Sequence, residues 1–392
     1  MCNTFRAALI SLLALILLSG AACGGHDGPE VGVGLPTKEM SAERSAFIDK
    51  AATDMVEGRL FFVKGELPGL WVGIWDPEKG VHVRAYGKAE IGGRDADADD
   101  FVRIASITKT FVATVVLQLV AGGKLRLSDE VERHLPRLVE RFPELRDRTI
   151  RQLLAMRSGL PNPDYSDPVF ADRAKDPTRP FTPEALVGLA LRQQVAAPGT
   201  PGYSNTNYIL LGEIAEAVTG ASLADLISER VTEPLGIDDA RLPPNDDTSL
   251  PEPAAHGYAF GCDEAREAMG VREGADLTDW SVSDAQGAGA MYARFSDLGV
   301  WGASMFGNAL LPKALAAKRL KLISDFESYG LGIGGFGEMV GPGAWYGHGG
   351  SILGWQSFLV HNPQTGATVA LLATTCGIEI IPRDLLKYLY PR

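Results

Sequence analysis

Phe101-Val102-Arg103-Ile104-Ala105-Ser106-Ile107-Thr108-Lys109 runs into residues 110–121 and stops at Gly122-Gly123. Between residues 110 and 121 only Thr110, Thr114 and Gln118 are polar. The stretch reads as a buried helix with glycine at its C-terminal end. Ser106 and Lys109, three residues apart, then share a helical face. A serine hydroxyl is a weak nucleophile until a base takes its proton. Lys109 on an apolar surface would be such a base, because desolvation favours its neutral form. Ser106 at a helix N-terminus would find free N–H groups where negative charge develops. Taken alone, the pair also fits an N-capping serine with a surface lysine one turn on.

The chain has 392 residues, enough for one large domain or two smaller ones. Its 45% hydrophobic and 22% charged residues are those of a globular protein. A net charge of −12, with no basic stripe, excludes nucleic acid as an expected partner.

Residues 1–23 are a different material. Arg6 precedes an apolar run from Ala7 to Leu18, too short to span a bilayer comfortably, and Ser19-Gly20-Ala21-Ala22-Cys23 follows. This order predicts an export signal. Small residues before Cys23 are similar to a bacterial lipobox, although Gly20 stands where leucine is usual; ordinary cleavage near Ala22 is the alternative. The expectation is an envelope protein, lipidated at Cys23 and so membrane-anchored, or else secreted, with residues 24–40 as a tether rich in glycine and small residues. The remaining cysteines, Cys262 and Cys376, fit either a disulfide or two buried thiols. No HExxH or close histidine pair indicates zinc.

Residues 41–392 form the main domain. Ser41 to Gly58 reads as an amphipathic helix with Phe47, Ile48, Ala51, Met55 and Val56 apolar. Leu70 to Trp75 and Val81 to Tyr86 read as strands around an Asp76–Gly80 turn. The middle is mostly helical, as at Arg151–Met156 and Asn207–Val218. It is interrupted at 161–201 by eight prolines, an excursion that would rim a site. Ser357–His361 and Ala367–Thr374 flank a hairpin turn, and Ile380–Tyr390 reads as a closing helix. The expected architecture is α/β (α+β): an antiparallel sheet built from both chain ends, flanked by helices, with an inserted helical subdomain.

Two further stretches carry chemistry. Pro198 to Asn205 presents Tyr203 and Asn205 before a helix; a phenol can relay protons and an amide can fix an acyl group. Asn205 also fits an N-cap. Tyr346-Gly347-His348-Gly349-Gly350-Ser351 lets backbone come close to a ligand, where an N–H together with that of Ser106 could form an oxyanion hole.

Taken in order, these three stretches resemble the serine β-lactamase and penicillin-binding protein superfamily, which uses Ser-x-x-Lys, then Tyr-x-Asn, then Lys-Thr-Gly or His-x-Gly. The branch with class C β-lactamases and D-alanyl-D-alanine carboxypeptidases is closer. Thr149–Leu154 with Arg157-Ser158-Gly159-Leu160-Pro161, Glu233-Pro234-Leu235-Gly236 and Tyr329-Gly330-Leu331-Gly332 add to the likeness, which covers roughly residues 45–390. It implies Ser106 as nucleophile, Lys109 as base and Tyr203 as proton shuttle. It implies Asn205 and His348 as substrate contacts, and backbone N–H groups of Ser106 and Ser351 as oxyanion donors. The implied chemistry is acyl transfer through a serine ester, then hydrolysis, with no metal or organic cofactor.

The third motif departs from Lys-Thr-Gly. Gly349 has no hydroxyl, His348 is neutral at pH 7 unless perturbed, and Ser351 is the nearby substitute. These substitutions weigh against an efficient β-lactamase. The expected activity is carboxypeptidase-like, on D-alanyl peptides or related amides. An esterase using the same site, or an idle cell-surface binding protein, are the alternatives.

Overall fold

The computed structural model describes residues 34–59, 66–163, 173, 175–261, 267, 269–307, 309–321, 329–341, 343–376, 386, 389 and 390. The leader with Cys23, the centre of the Pro-rich excursion, Cys262 and most of the expected closing helix lie outside them. Cys376 is disulfide-bonded. Lys38 and Met40, at the end of the expected tether, lie along one edge of the sheet: Val81 N–H donates to Lys38 O at 2.8 Å and Met40 N–H to Val81 O at 3.0 Å.

Both chain ends build one antiparallel sheet, as the strand pattern predicts. β1 (Gly69–Asp76) and β2 (Gly80–Gly87) come from the N-terminal part. β5 (Gly334–Gly335), β6 (Tyr346–Ile352), β7 (Trp355–Asn362) and β8 (Ala367–Ala373) come from the C-terminal part. The order is β2-β1-β8-β7-β6-β5, so β1 and β8 join the two ends at the centre. Asp76 Oδ1 accepts from the N–H groups of Glu78 and Lys79, both at 2.8 Å, and fixes the β1–β2 turn.

Central strands covered on both faces must be apolar on both. In β1, Leu70, Val72 and Ile74 face one core while Trp71 and Trp75 face the other. In β8, Val369 and Leu371 alternate in the same way with Ala370 and Leu372. The first core is closed by α1 (Ala42–Val56) together with Leu386, Leu389 and Tyr390. α1 buries Ile48, Ala52 and Met55; Phe47, expected on this face, is 38% exposed because it stands beside the buried stripe.

The second core holds the helical middle, with α2 (Thr108–Ala121) at its heart. Beyond Thr108 and Lys109, the polar residues of α2 form one stripe at four-residue spacing, and each has a hydrogen-bond partner. Thr110 Oγ1 accepts from Trp301 Nε1 at 2.8 Å, and Phe111 stacks on the same indole at 3.9 Å. Thr114 Oγ1 accepts from Arg319 Nη1 at 2.9 Å. Gln118 Nε2 donates to Arg230 O at 3.1 Å and Leu310 O at 3.2 Å. A short ribbon, β3 (Phe101–Arg103) with β4 (Tyr292–Arg294), leads into α2; the sequence reading had no strand there. The hydroxyls, the indole and the guanidinium thus fix where the first turn of α2 meets β6.

Candidate active site

Ser106 sits in a 3-10 turn, Ala105–Ile107, immediately before α2. Its side chain caps nothing: the N-cap position of α2 is Ile107, without a side-chain cap bond. Ala105 is buried with φ of 49°, a backbone conformation an alanine keeps only where its surroundings impose it. Thr108 Oγ1 donates to Ala105 O at 2.7 Å and accepts from Met291 N–H at 3.2 Å, which ties the turn to the chain before β4.

Lys109 Nζ lies 2.9 Å from Ser106 Oγ, 2.7 Å from Asn205 Oδ1 and 2.6 Å from Ala288 O. The side chain is 0% exposed, and burial drives its amine well below the ordinary lysine range. A neutral amine has two N–H groups and one lone pair. Ala288 O and Asn205 Oδ1 are acceptors and take both N–H groups, so the lone pair is left facing the Ser106 hydroxyl. Tyr203 Oη donates to Ser106 Oγ at 2.9 Å. Base, nucleophile and second proton carrier therefore form one hydrogen-bonded line.

Asn205 stands at the N-cap of the Thr206–Thr219 helix but does not cap it; its oxygen goes to Lys109. Residues 156–162 hold the Tyr203–Asn207 turn. Asn162 Oδ1 accepts from Asn205 N–H at 2.6 Å, and Pro161 O accepts from Ser204 Oγ at 2.9 Å and Thr206 Oγ1 at 2.7 Å. The Ala288 carbonyl is held from the other side. Gln286 Nε2 donates to Phe181 O at 3.0 Å, and Arg173 pairs with Asp284 through two bonds of 3.1 and 3.2 Å.

β6 passes beside the nucleophile. A Cβ on Gly350 would lie 2.7 Å from Ser106 N, 2.8 Å from Ala105 Cβ and 2.5 Å from Ser357 Oγ, so only glycine lets the strand come this close. Among the described residues, β5 pairs with β6 only at Tyr346 and Gly347, and no other strand pairs with β6 at 348–352 on that side. Gly349 has open space, with no heavy atom nearer than 3.9 Å to an added Cβ. Ser351 is exposed and, by strand alternation, projects from the face opposite His348 and Gly350.

His348 is buried, and both ring nitrogens are engaged within the protein. Nε2 lies 2.9 Å from Tyr329 Oη, and Nδ1 meets its neighbour's carbonyl, Gly349 O. A carbonyl only accepts, so the proton sits on Nδ1 and Nε2 accepts from the Tyr329 hydroxyl. Desolvation lowers the imidazole to about 3. The third motif thus carries no cation.

Ser106, Lys109, Tyr203, Asn205, His348, Gly349 and Gly350 converge here; the Ser351 side chain points elsewhere, Cys376 lies apart beside Phe260, and Cys23 and Cys262 lie outside the described residues. Tyr329, Tyr208, Asn162 and the Ala288 carbonyl were not assigned from sequence. Tyr329 had a signal, its place in Tyr-Gly-Leu-Gly, but no pattern that revealed its partner.

The β-lactamase family model matches residues 48–378. The chain belongs to the β-lactamase family. Its homologues are serine hydrolases of that superfamily. It is 30% identical to a D-aminopeptidase of Brucella anthropi over 297 residues, 74% of this chain and 52% of the relative. Protein flp of Staphylococcus aureus strain MW2 is 33% identical over 178 residues, 44% of this chain and 34% of that protein. The chain therefore spans about half the length of the D-aminopeptidase. Among solved structures, a D-stereospecific amidohydrolase from Streptomyces sp. superposes with a TM-score of 0.72 at 25% identity, covering 88% of this chain and 97% of that one. A D-amino acid amidase from Ochrobactrum anthropi SV3 complexed with L-phenylalanine gives 0.72 at 25%, covering 89% and 96%.

Two outcomes test the site. Gly350→Ala should cut Ser106 acylation by about 10²–10³, the scale of losing an oxyanion donor, while the far-UV circular dichroism spectrum stays native. Since Lys109 works only when neutral, kcat/KM should be flat at and above neutrality and fall as pH drops through the depressed amine pKa. A limb that rises only in the ordinary lysine range would contradict a desolvated base.

Proposed function

We propose that this protein hydrolyses amides of D-amino acids, releasing an uncharged leaving group, through an acyl-serine intermediate. The observation that carries the reading is the internal engagement of both nitrogens of a neutral His348, in a motif that also lacks a hydroxyl at Gly349. A substrate with a free carboxylate on its leaving side, the carboxypeptidase type first expected, finds no charge to hold it there. The D-stereospecific names of the relatives support the choice of amides and of configuration.

In the proposed sequence the scissile carbonyl sits over Ser106 with its oxygen toward the Ser106 N–H beside Gly350. Ser106 Oγ attacks as its proton passes to the Lys109 lone pair. Tyr203, within hydrogen-bond distance of Ser106 Oγ, delivers a proton to the departing amine, and the C–N bond breaks. Lys109 then returns the line to its starting state through Tyr203. Water attacks the ester by the reverse route and releases the acid. Asn205 holds Lys109 through Oδ1.

The D-isomer of phenylalanine amide or alanine para-nitroanilide should be hydrolysed at least about tenfold faster than the L-isomer, with no turnover by Ser106→Ala. Faster turnover of acetyl-D-alanyl-D-alanine than of the D-amide would restore the carboxypeptidase reading, and turnover of simple esters alone would favour the esterase. We also propose export with a lipid at Cys23, supported by the charge-then-apolar order of residues 1–23. Full-length protein expressed in a bacterial host should partition with membranes, and Cys23→Ser should not; equal partitioning would refute it.

A further inference from the structure

His348 does not stand alone behind the cleft. Tyr329 Oη, 2.9 Å from its Nε2, stands beside the Tyr208 phenol and interacts with it electrostatically. Tyr208 Oη lies 3.1 Å from Leu154 O, and Leu154 O also accepts from Gly332 N–H at 3.0 Å. Tyr329 and Tyr208 are buried, and the Tyr329 ring meets the imidazole edge-on at 5.7 Å and 84°. Gly332 takes φ of 80° and packs so closely on α2 that an added Cβ would be 2.1 Å from Ala113 Cβ and 3.0 Å from Tyr208 Oη. The backbone after Tyr329 is thus fixed against α2, and the phenol has one place to go.

Among the described residues, the groups around His348 are few. Lys109, as a neutral amine, and Tyr203 face it from the catalytic side, the Tyr203 ring at 6.1 Å. Tyr329 and Tyr208 lie behind. The buried Arg319 guanidinium acts electrostatically on both tyrosines. Nothing anionic among these favours an imidazolium.

We propose that Tyr329 is a specificity-determining residue. Its hydroxyl occupies Nε2 of His348, so neither ring nitrogen is offered to substrate, and the third motif cannot hold a carboxylate on the leaving side. The choice of natural substrate rests on the reading above; the test does not. Tyr329→Phe takes away the inward partner of Nε2. The next partners are in the cleft: water, or a substrate carboxylate held by the ring's protonated form, which gains population as pH falls.

The experiment compares para-nitrophenyl acetate with its counterpart carrying a carboxylate on the nitrophenyl ring, a pair that differs only in leaving-side charge and needs no D-amino acid. The wild-type enzyme should prefer the uncharged ester. Tyr329→Phe should shrink that preference by about tenfold, mostly through KM of the charged ester and more strongly on the acid side of neutrality. His348→Ala and the double variant should behave alike, because Tyr329 acts through His348. An unchanged preference in Tyr329→Phe, or the same shift when His348 is already alanine, would overturn the proposal. Histidine ¹⁵N spectra of the wild-type protein give a second test that needs no variant to fold. His348 should show one tautomer with its proton on Nδ1, and a proton on Nε2 or an imidazolium at neutral pH overturns the inference. The D-amide assay is separate, so failure of that substrate class leaves this result readable.

Discussion

A lysine amine held without water beside a serine hydroxyl is the constraint around which this molecule is organised. An ammonium in that place would cost several kcal/mol of desolvation, and the inexpensive answer is to lose the proton. Everything that buries α2 therefore also tunes the base. The sheet supplies one wall, the helical middle the other, and Trp301 and Arg319 hold the helix through Thr110 and Thr114. Neutrality alone does not aim the lone pair. That falls to two acceptors from distant parts of the chain, Asn205 Oδ1 and Ala288 O, each held by its own hydrogen bonds to segments near the Pro-rich excursion.

The same economy governs the other side of the cleft. Gly350 permits β6 to lie against the Ser106 N–H. A bulkier residue would close the gap where the oxyanion must sit. Two residues with positive φ stand next to the reacting groups: Ala105 immediately precedes the nucleophile, and Gln286 lies two residues before the Ala288 carbonyl. Backbone held in this way moves little when charge develops, which is the condition for electrostatic stabilisation to work.

Much of this was legible from residues alone. The alternation of Leu70–Trp75, the glycine-ended apolar run of α2 and the hairpin at Asn362–Gly366 report local periodicity, and periodicity fixes elements and faces. Ser106, Lys109, Tyr203 and His348 stood out because their spacings are chemical. The Ala288 carbonyl was invisible because every residue has one. Tyr329 was invisible as a partner because its contact with His348 spans two strands and a turn, and sequence distance carries no information about it. The Ser351 hydroxyl does not stand in for the missing threonine, because adjacent strand residues point to opposite faces and it leaves on the wrong one; its backbone N–H, the expected oxyanion donor, does not depend on side-chain direction. Phe47 was misplaced by the same kind of error on a helix, one residue around from the buried stripe.

The charge state of Lys109 decides between this picture and a merely positioned ion. Nitrogen NMR of the lysine ζ group, assigned by its loss in Lys109→Met, reads that state without substrate. A neutral amine signal at pH 7, distinct from every other lysine of the protein, is the expected result. An ammonium signal at pH 7, titrating with the surface lysines, would contradict it.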